Sequence, residues 1–234
     1  MASQRIIGML LFPRLTQLDL TGPYEVLARL PNTKVQLVAH SLEPVETDRG
    51  LAILPTATFA TCPPLDVIVV PGGPGQQSLM DDDVVLDFLR DQARHAQYVT
   101  SVCTGSLVLG AAGLLRGKRA TCHWAAIEHL PLLGAIAVHE RVVVDGNVVT
   151  GAGVASGIDF ALALAAILEG ETVAQEIQLQ IEYDPAPPFR SGSPATASAE
   201  TLAALRTRLA KLNEERRAKA LRAAQRLGIE HGAG

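Results

Sequence analysis

Two stretches of this chain carry residue types that can do chemistry together: Asp66 to Gly75, DVIVVPGGPG, and Tyr98 to Leu115, YVTSVCTGSLVLGAAGLL. In the second, a strand-like run from Val99 to Val102 meets Cys103, and then Leu107, Ala111, Leu114 and Leu115 recur at a helical period. A cysteine at such a strand-to-helix elbow lies where backbone N–H groups are unpaired and the helix dipole favours negative charge. Both favour thiolate, the nucleophilic form of the side chain. A buried structural cysteine is the alternative, but Ser101, Thr104, Gly105 and Ser106 suit a tight turn better than a core.

A cysteine nucleophile needs donors for charge that develops on its substrate, and a source of protons. The N–H groups of Thr104, Gly72 and Gly73 are candidate donors, because glycine lets a backbone approach a ligand closely; an ordinary strand-end turn would use the same glycines. Asp19, in LTQLDLTGP, is the candidate acid and base. A carboxylate among apolar residues is costly unless it is functional or hydrogen-bonded, and service to N–H groups around Gly22 is an equal alternative. His123, in ATCHW, could orient substrate or water, but is expected rather as a satisfied buried histidine within reach of the pocket. The segment 150–156, TGAGVAS, feeds a helix; its backbone near Val154 is a candidate contact for the sulfur or the substrate, with a plain loop as the default. Asp159 is expected as a helix cap, Trp124 as core or pocket wall, and Cys62 and Cys122 have no activating context. Tyr24 and Ile158 are further candidates for the wall.

These residues must be positioned by strands and helices in alternation. Strands are expected at Arg5–Phe12, Val35–Ala39, Leu51–Leu54, Asp66–Val70, Val99–Val102, Ala120–His123 and, around an Asp145-Gly146 hairpin turn, Arg141–Val144 and Asn147–Thr150. Between them helices are expected from Thr21-Gly22-Pro23 to Leu30, over Asp81–Ala96, after Cys103, and from Trp124 to Leu130. Two more run from Ser156 to Leu168, with the spacing of a capping box, and from Glu171 to Glu182. The alternation implies a flavodoxin-like α/β fold: a mostly parallel sheet with helices on both faces, the cysteine at a nucleophile elbow. Ligands in such sheets bind beyond the carboxyl ends of the strands. Asp19, Gly72-Gly73 and Cys103 all follow strand ends, which reads as one site.

The chain has 234 residues, 48% of them hydrophobic, enough for one large domain at 1–190 and an extension at 191–234. No apolar run approaches the ~18 residues of a membrane span, and no signal-peptide pattern opens the chain, so a cytoplasmic protein that binds no membrane is expected. Three widely spaced cysteines do not form a disulfide framework. No CxxC pair or HExxH occurs, so no metal site is expected. GGPGQQ lacks dinucleotide spacing, and no organic cofactor is expected either. The net charge of −4 does not suggest nucleic acid as a partner. That charge is uneven: residues 198–234 carry eight Lys or Arg and four acids, leaving −8 on the rest. Within this basic end a helix is expected from Ser198, its N-cap, to Leu227, with Leu202, Leu205, Leu209 and Leu212 as an apolar stripe. Such a stripe must pack on its own domain or on a second subunit.

At LDLTGP, CPPLDVIVVPGG, the SVCTG elbow, HW, GIDFALALAA and QLQIEYDPAPPF the chain resembles the PfpI/ThiJ superfamily, relatives of the class I glutamine amidotransferases. The resemblance covers about residues 5 to 190, and is nearest to the members that hydrate isocyanides. It implies conversion of R–NC and water to an N-substituted formamide through a covalent thioimidate on Cys103, with Asp19 as acid and Thr104 positioning thiol or substrate. It also implies a homodimer, a small-molecule isocyanide as substrate and no cofactor. Peptidase-like members carry histidine directly after the nucleophile, and Thr104 stands there instead. LDLTGP and the SVCTG block also resemble sensor domains of AraC-type regulators, but the chain ends in a single helix without a DNA-binding domain. A third expectation is a stress-related relative, with cysteine-dependent glyoxalase chemistry or an oxidation-sensing thiol.

Overall fold

The computed structural model describes residues 4–229. Its elements are β1 (Arg5–Leu10), α1 (Gln17–Leu27), β2 (Thr33–Ala39), β3 (Val45–Glu46), β4 (Ala52–Ile53), β5 (Ala57–Thr58) and β6 (Val67–Val70). Then come α2 (Gln76–Leu79), α3 (Asp83–Ala93), β7 (Tyr98–Val102), α4 (Gly105–Ala111), β8 (Arg119–Ala120), β9 (Ile136–Ala137), β10 (Val142–Asp145) and β11 (Val148–Gly151). The chain finishes with α5 (Ser156–Glu169), α6 (Glu171–Gln180) and α7 (Ala199–Arg226). Seven strands make one sheet in the order β10-β11-β7-β6-β1-β2-β5, parallel except for the β10–β11 hairpin.

The central strands read as near-continuous apolar runs because helices cover both faces. All four residues of β6 are buried, and Ile7, Met9, Val67, Val69 and Val102 are fully buried in the core. The carboxyl ends of β1, β6 and β7 lie side by side at the centre of the sheet. The segments that follow them carry Asp19, Gly72-Gly73 and Cys103, so the topology brings these together.

Several expected elements differ. The first helix begins at Gln17, and Pro23 lies inside it. Proline removes the N–H that would bond the carbonyl of Asp19, yet the helix continues, and Asp19 sits in its first turn. The stretch from Trp124 to Leu130 is a turn followed by two short 3-10 segments, Ile127–His129 and Pro131–Leu133, in place of an α-helix; Pro131 starts the second. The strand expected at Ala120–His123 shortens to β8, which pairs with β9 in a small separate sheet and leaves His123 in a loop. The pair β3–β4 likewise stands outside the main sheet. Ser156 caps nothing by its side chain, and its hydroxyl donates to the Gly153 carbonyl. Asp159 accepts from Arg141 Nε at 2.8 Å and from the Tyr183 hydroxyl at 3.0 Å, a bridge between the residue before β10 and the segment after α6 in place of a cap.

The C-terminal helix is capped by Ser198, whose side chain accepts from the Thr201 N–H. Its second half docks on its own subunit. Ala220, Ala223 and Ala224 are buried, and Lys219, Arg222 and Arg226 converge on Asp81 at 2.6, 3.0 and 2.9 Å. That clamp holds the Asp81 carboxyl below the usual carboxylate range. No helix among the described residues is long and apolar enough to cross a membrane.

Candidate active site

Cys103 occupies the left-handed region at φ 59°, between the end of β7 and the start of α4. A non-glycine residue there costs about 1–3 kcal/mol, which the surroundings must offset. They do so through the backbone: the Cys103 N–H donates to the Gly151 carbonyl at 2.9 Å. Gly105 lets α4 pass so close to β6 that an added Cβ would lie 2.0 Å from the Val70 carbonyl oxygen. The hydroxyls of Ser101 and Ser106 meet at 2.8 Å below the elbow, and Ser106 bonds the Thr121 carbonyl. The small polar residues flanking the cysteine thus build the turn.

Asp19 is fully buried. Its Oδ2 accepts from the Gly72 N–H at 3.0 Å, while Oδ1 has no partner. Burial pushes its carboxyl up to about 7 against the pull of the Cys103 thiol and the Gly72 N–H; the Asp48 carboxylate pushes it the same way as burial. The Gly73 N–H donates to Thr104 Oγ1 at 3.1 Å. Both glycine N–H groups, candidate donors to a substrate anion in the sequence, are here bonded to side chains of the site. Gly72 acts by absence: a Cβ there would fall 2.5 Å from the Thr104 nitrogen and 2.8 Å from Asp19 Oδ2. The glycine turn locks Asp19, Thr104 and the elbow to one another.

The Cys103 thiol is pushed well above its ordinary pKa, first by burial and then by the charge of Asp19. The Thr104 N–H opposes this as a donor to the sulfur. Burial and the Asp19 charge thus work against the field of a seven-residue helix, and the sulfur stands beside a carboxyl group poised near neutrality. Such a pair shares protons and titrates as a unit.

A cavity of about 490 Å³ opens onto Cys103 and Thr104, with Gly73, His123 and Val154 in its wall. His123 is half-buried there; burial, then the charge of Arg216, holds it down to about 4, and its Nδ1 accepts from the Ala125 N–H at 3.2 Å. Its ring is thus partnered within its own loop, and among the described residues no hydrogen bond joins a histidine to Cys103. Val154 lines this cavity and a neighbouring one of about 650 Å³ that includes Trp124 and Cys122. Tyr24 and Ile158 line neither. Among the described residues no group of three or more His, Cys, Asp or Glu is gathered to hold a metal ion.

Sequence reasoning missed two parts of the wall. Asp48, in the turn after β3, lines the cavity with a buried, unpartnered Oδ1; nothing in VETDRG distinguishes it. Leu205, Leu209, Leu212 and Arg216 of α7 form a further part of the wall. The leucine stripe was legible, and Arg216 continues it four residues on, so a charge on an apolar face was a signal that could have been used.

The DJ-1/PfpI family model matches residues 5–167. An isonitrile hydratase from Pseudomonas putida is 58% identical over 223 residues, 95% of this chain and 98% of its own length. The glutathione-independent glyoxalase DJR-1.2 of Caenorhabditis elegans is 29% identical over 73% of this chain and 92% of its own. A crystal structure of a ThiJ/PfpI family protein from Pseudomonas syringae superposes with a TM-score of 0.91 at 46% identity, covering 94% of this chain and 91% of that one.

Proposed function

The chain belongs to the DJ-1/PfpI family, and from that premise we propose that it hydrates isocyanides to N-substituted formamides. The observation that carries the reading is the buried Asp19 carboxyl, pushed up to about 7, beside the Cys103 thiol. An isocyanide carbon must accept both a nucleophile and a proton, and one thiol with one carboxylate supplies the two. The likeness to the isonitrile hydratase of Pseudomonas putida supports the same substrate class.

Asp19, ionised, takes the proton of Cys103 as the sulfur bonds to the isocyanide carbon, and returns it to that carbon. The product of this step is a thioimidate, R–N=CH–S–Cys103. The Thr104 N–H, which donates to the sulfur, holds it through the step. Asp19 then removes a proton from water as its oxygen adds to the thioimidate carbon, and the nitrogen is protonated. Expulsion of the sulfur, which regains a proton, leaves R–NH–CHO. Proton shuttling of this kind contributes about 10²–10⁴-fold, and it is most effective with a group near the working pH. The leucines of α7 and Val154 receive R, and His123 walls the pocket as a neutral ring. A homodimer in the cytoplasm belongs to the same proposal; exposed Leu179 and Phe189, 82% and 79% accessible, are apolar surface for a second copy to cover.

The test is formamide production from cyclohexyl isocyanide by wild type beside Cys103→Ala. Formamide from wild type and none from the folded variant is the expected result. Absence of formamide from folded wild type with several isocyanides would sink the proposal. The likeness to the glyoxalase DJR-1.2 favours a second reading on the same cysteine, and lactate formation from methylglyoxal distinguishes it.

A further inference from the structure

Leu205, Leu209, Leu212 and Arg216 follow at intervals of four, three and four and so share one face of α7, all four in the wall of the Cys103 cavity. The leucines are half-buried, but Arg216 is only 5% exposed. Its Nη1 donates to Asn213 Oδ1 at 3.0 Å, a neutral acceptor, and its Nε has no partner. A buried cation without an anion is costly, by several kcal/mol, and among the described residues no carboxylate lies in an ion pair with it. Asp48 is paired with Arg49, and Asp19 is bound to Gly72. The titratable groups that act on Arg216, or feel its charge, are Cys122, Cys103, His123 and His129. Burial pushes both histidines down, away from the charged form. Arg216 acts on Cys122 as well, but Cys122 is buried outside the wall of this cavity, so Cys103 is the sulfur that shares the open space with the cation. Facing Cys103 are Asp19, Asp48, Cys122 and His123, with Arg49 and Arg216 as the cations of the cavity wall. The Arg49 side chain is 87% exposed and screened by water.

We propose that Arg216, delivered by the C-terminal helix, is the cation of the active site: it shares the cavity with the Cys103 sulfur and stabilises the thiolate each time the sulfur loses its proton or its carbon partner. Burial and the Asp19 carboxylate oppose that charge, and Arg216 answers them without giving or taking a proton. The inference rests on Cys103 as the nucleophile and is independent of which electrophile it attacks. It makes α7 part of the catalytic apparatus, although the helix lies beyond the residues the family model matches.

The experiment is the pH dependence of Cys103 alkylation by iodoacetamide, read on the Cys103 peptide by mass spectrometry so that Cys62 and Cys122 do not contribute. Wild type is compared with Arg216→Met, Arg216→Gln and Arg216→Lys, each checked by thermal melting. The neutral variants should titrate at higher pH and alkylate about tenfold more slowly near neutrality, the equivalent of one pKa unit; Arg216→Lys should recover most of the rate. With cyclohexyl isocyanide the same variants should lose kcat with little change in KM. An unchanged alkylation profile in either folded neutral variant would overturn the inference. So would equal impairment of Lys and Gln, which would assign Arg216 a role of shape, or a rise in KM alone, which would assign it to substrate binding. Failure of the isocyanide assay with the alkylation shift intact would touch the proposed reaction and leave this inference standing.

Discussion

The elbow around Cys103 and the helix α7 line one cavity, and they are built in opposite ways. The elbow is fixed by backbone. Gly72 and Gly105 admit neighbours where a Cβ would collide, the two glycine N–H groups of the turn hold Asp19 and Thr104, and the cysteine is kept at a positive φ. The helix is fixed by side chains: alanines packed at its second half, a basic clamp on Asp81, and leucines that face the cavity half-covered. Backbone contacts tolerate almost no change in geometry, whereas side-chain contacts shift by tenths of an ångström at little cost. The proposed reaction thus places its bond-making atoms on the rigid part and the wall proposed to face substrate on the adjustable one.

The strongest way to break this contrast is at the elbow. Gly105→Ala puts a methyl 2.0 Å from the Val70 carbonyl, and the expected outcome is a loss of more than about 3 kcal/mol of stability together with activity. A soluble, active variant with an unchanged melt would show that the elbow has slack. Asp19→Asn comes next, and it separates function from stability. The folded state holds the Asp19 proton more tightly than the unfolded chain, since burial pushes the carboxyl up to about 7. The unfolded chain therefore ionises first, and stability from this group falls as pH rises from about 4 to about 7. The amide removes that loss: the variant should melt several degrees higher near pH 8 while turning over about 10²–10⁴-fold more slowly. In wild type kcat/KM should rise as pH climbs through about 7, where Asp19 becomes able to accept the thiol proton; a flat profile across that region would remove Asp19 as base.

On the helix side the effects should be smaller and graded. Leu209→Ala removes apolar wall and should raise KM for cyclohexyl isocyanide by about three- to tenfold, with kcat nearly kept. An effect on kcat as large as that of Asp19→Asn would make the helix as exacting as the elbow. Asp81→Asn releases three basic side chains and should cost about 1 kcal/mol, less in high salt, because the clamp is partly solvated. The Asp81 carboxyl is held below its ordinary value, so its contribution is complete above about pH 4 and lost as pH falls further. Melts of wild type and variant should therefore converge at low pH.

Much of the elbow was legible because its causes are local. A strand, a cysteine and small residues in succession can only turn sharply, and a run ending in PGG marks a turn wherever it falls. Asp19 was legible as an oddity, a charge in an apolar run, but its place in the helix was not, because Pro23 reads as a start while tertiary packing carries the helix through it. The 3-10 segments around Pro131 defeated a helical reading for the converse reason: apolar residues at helical spacing do not by themselves supply the hydrogen bonds. Asp159 reads as a cap because a cap needs only neighbours in sequence, whereas its partners, Arg141 and Tyr183, come from elsewhere.

The sequence by itself determined the order of the longer strands and helices, the elbow with its cysteine, the N-cap at Ser198 and the apolar stripe of the last helix. Each is set by steric and hydrogen-bonding preferences acting over a few residues. Only the tertiary structure decided that α7 returns to its own subunit, that Arg216 enters the Cys103 cavity with no carboxylate paired to it among the described residues, and that the glycine N–H groups hold Asp19 and Thr104. It also decided that burial and the Asp19 charge act against ionisation of Cys103. Protonation and partnership depend on solvent exclusion and on charges brought together from distant parts of the chain, and burial outweighs what a short helix offers the sulfur.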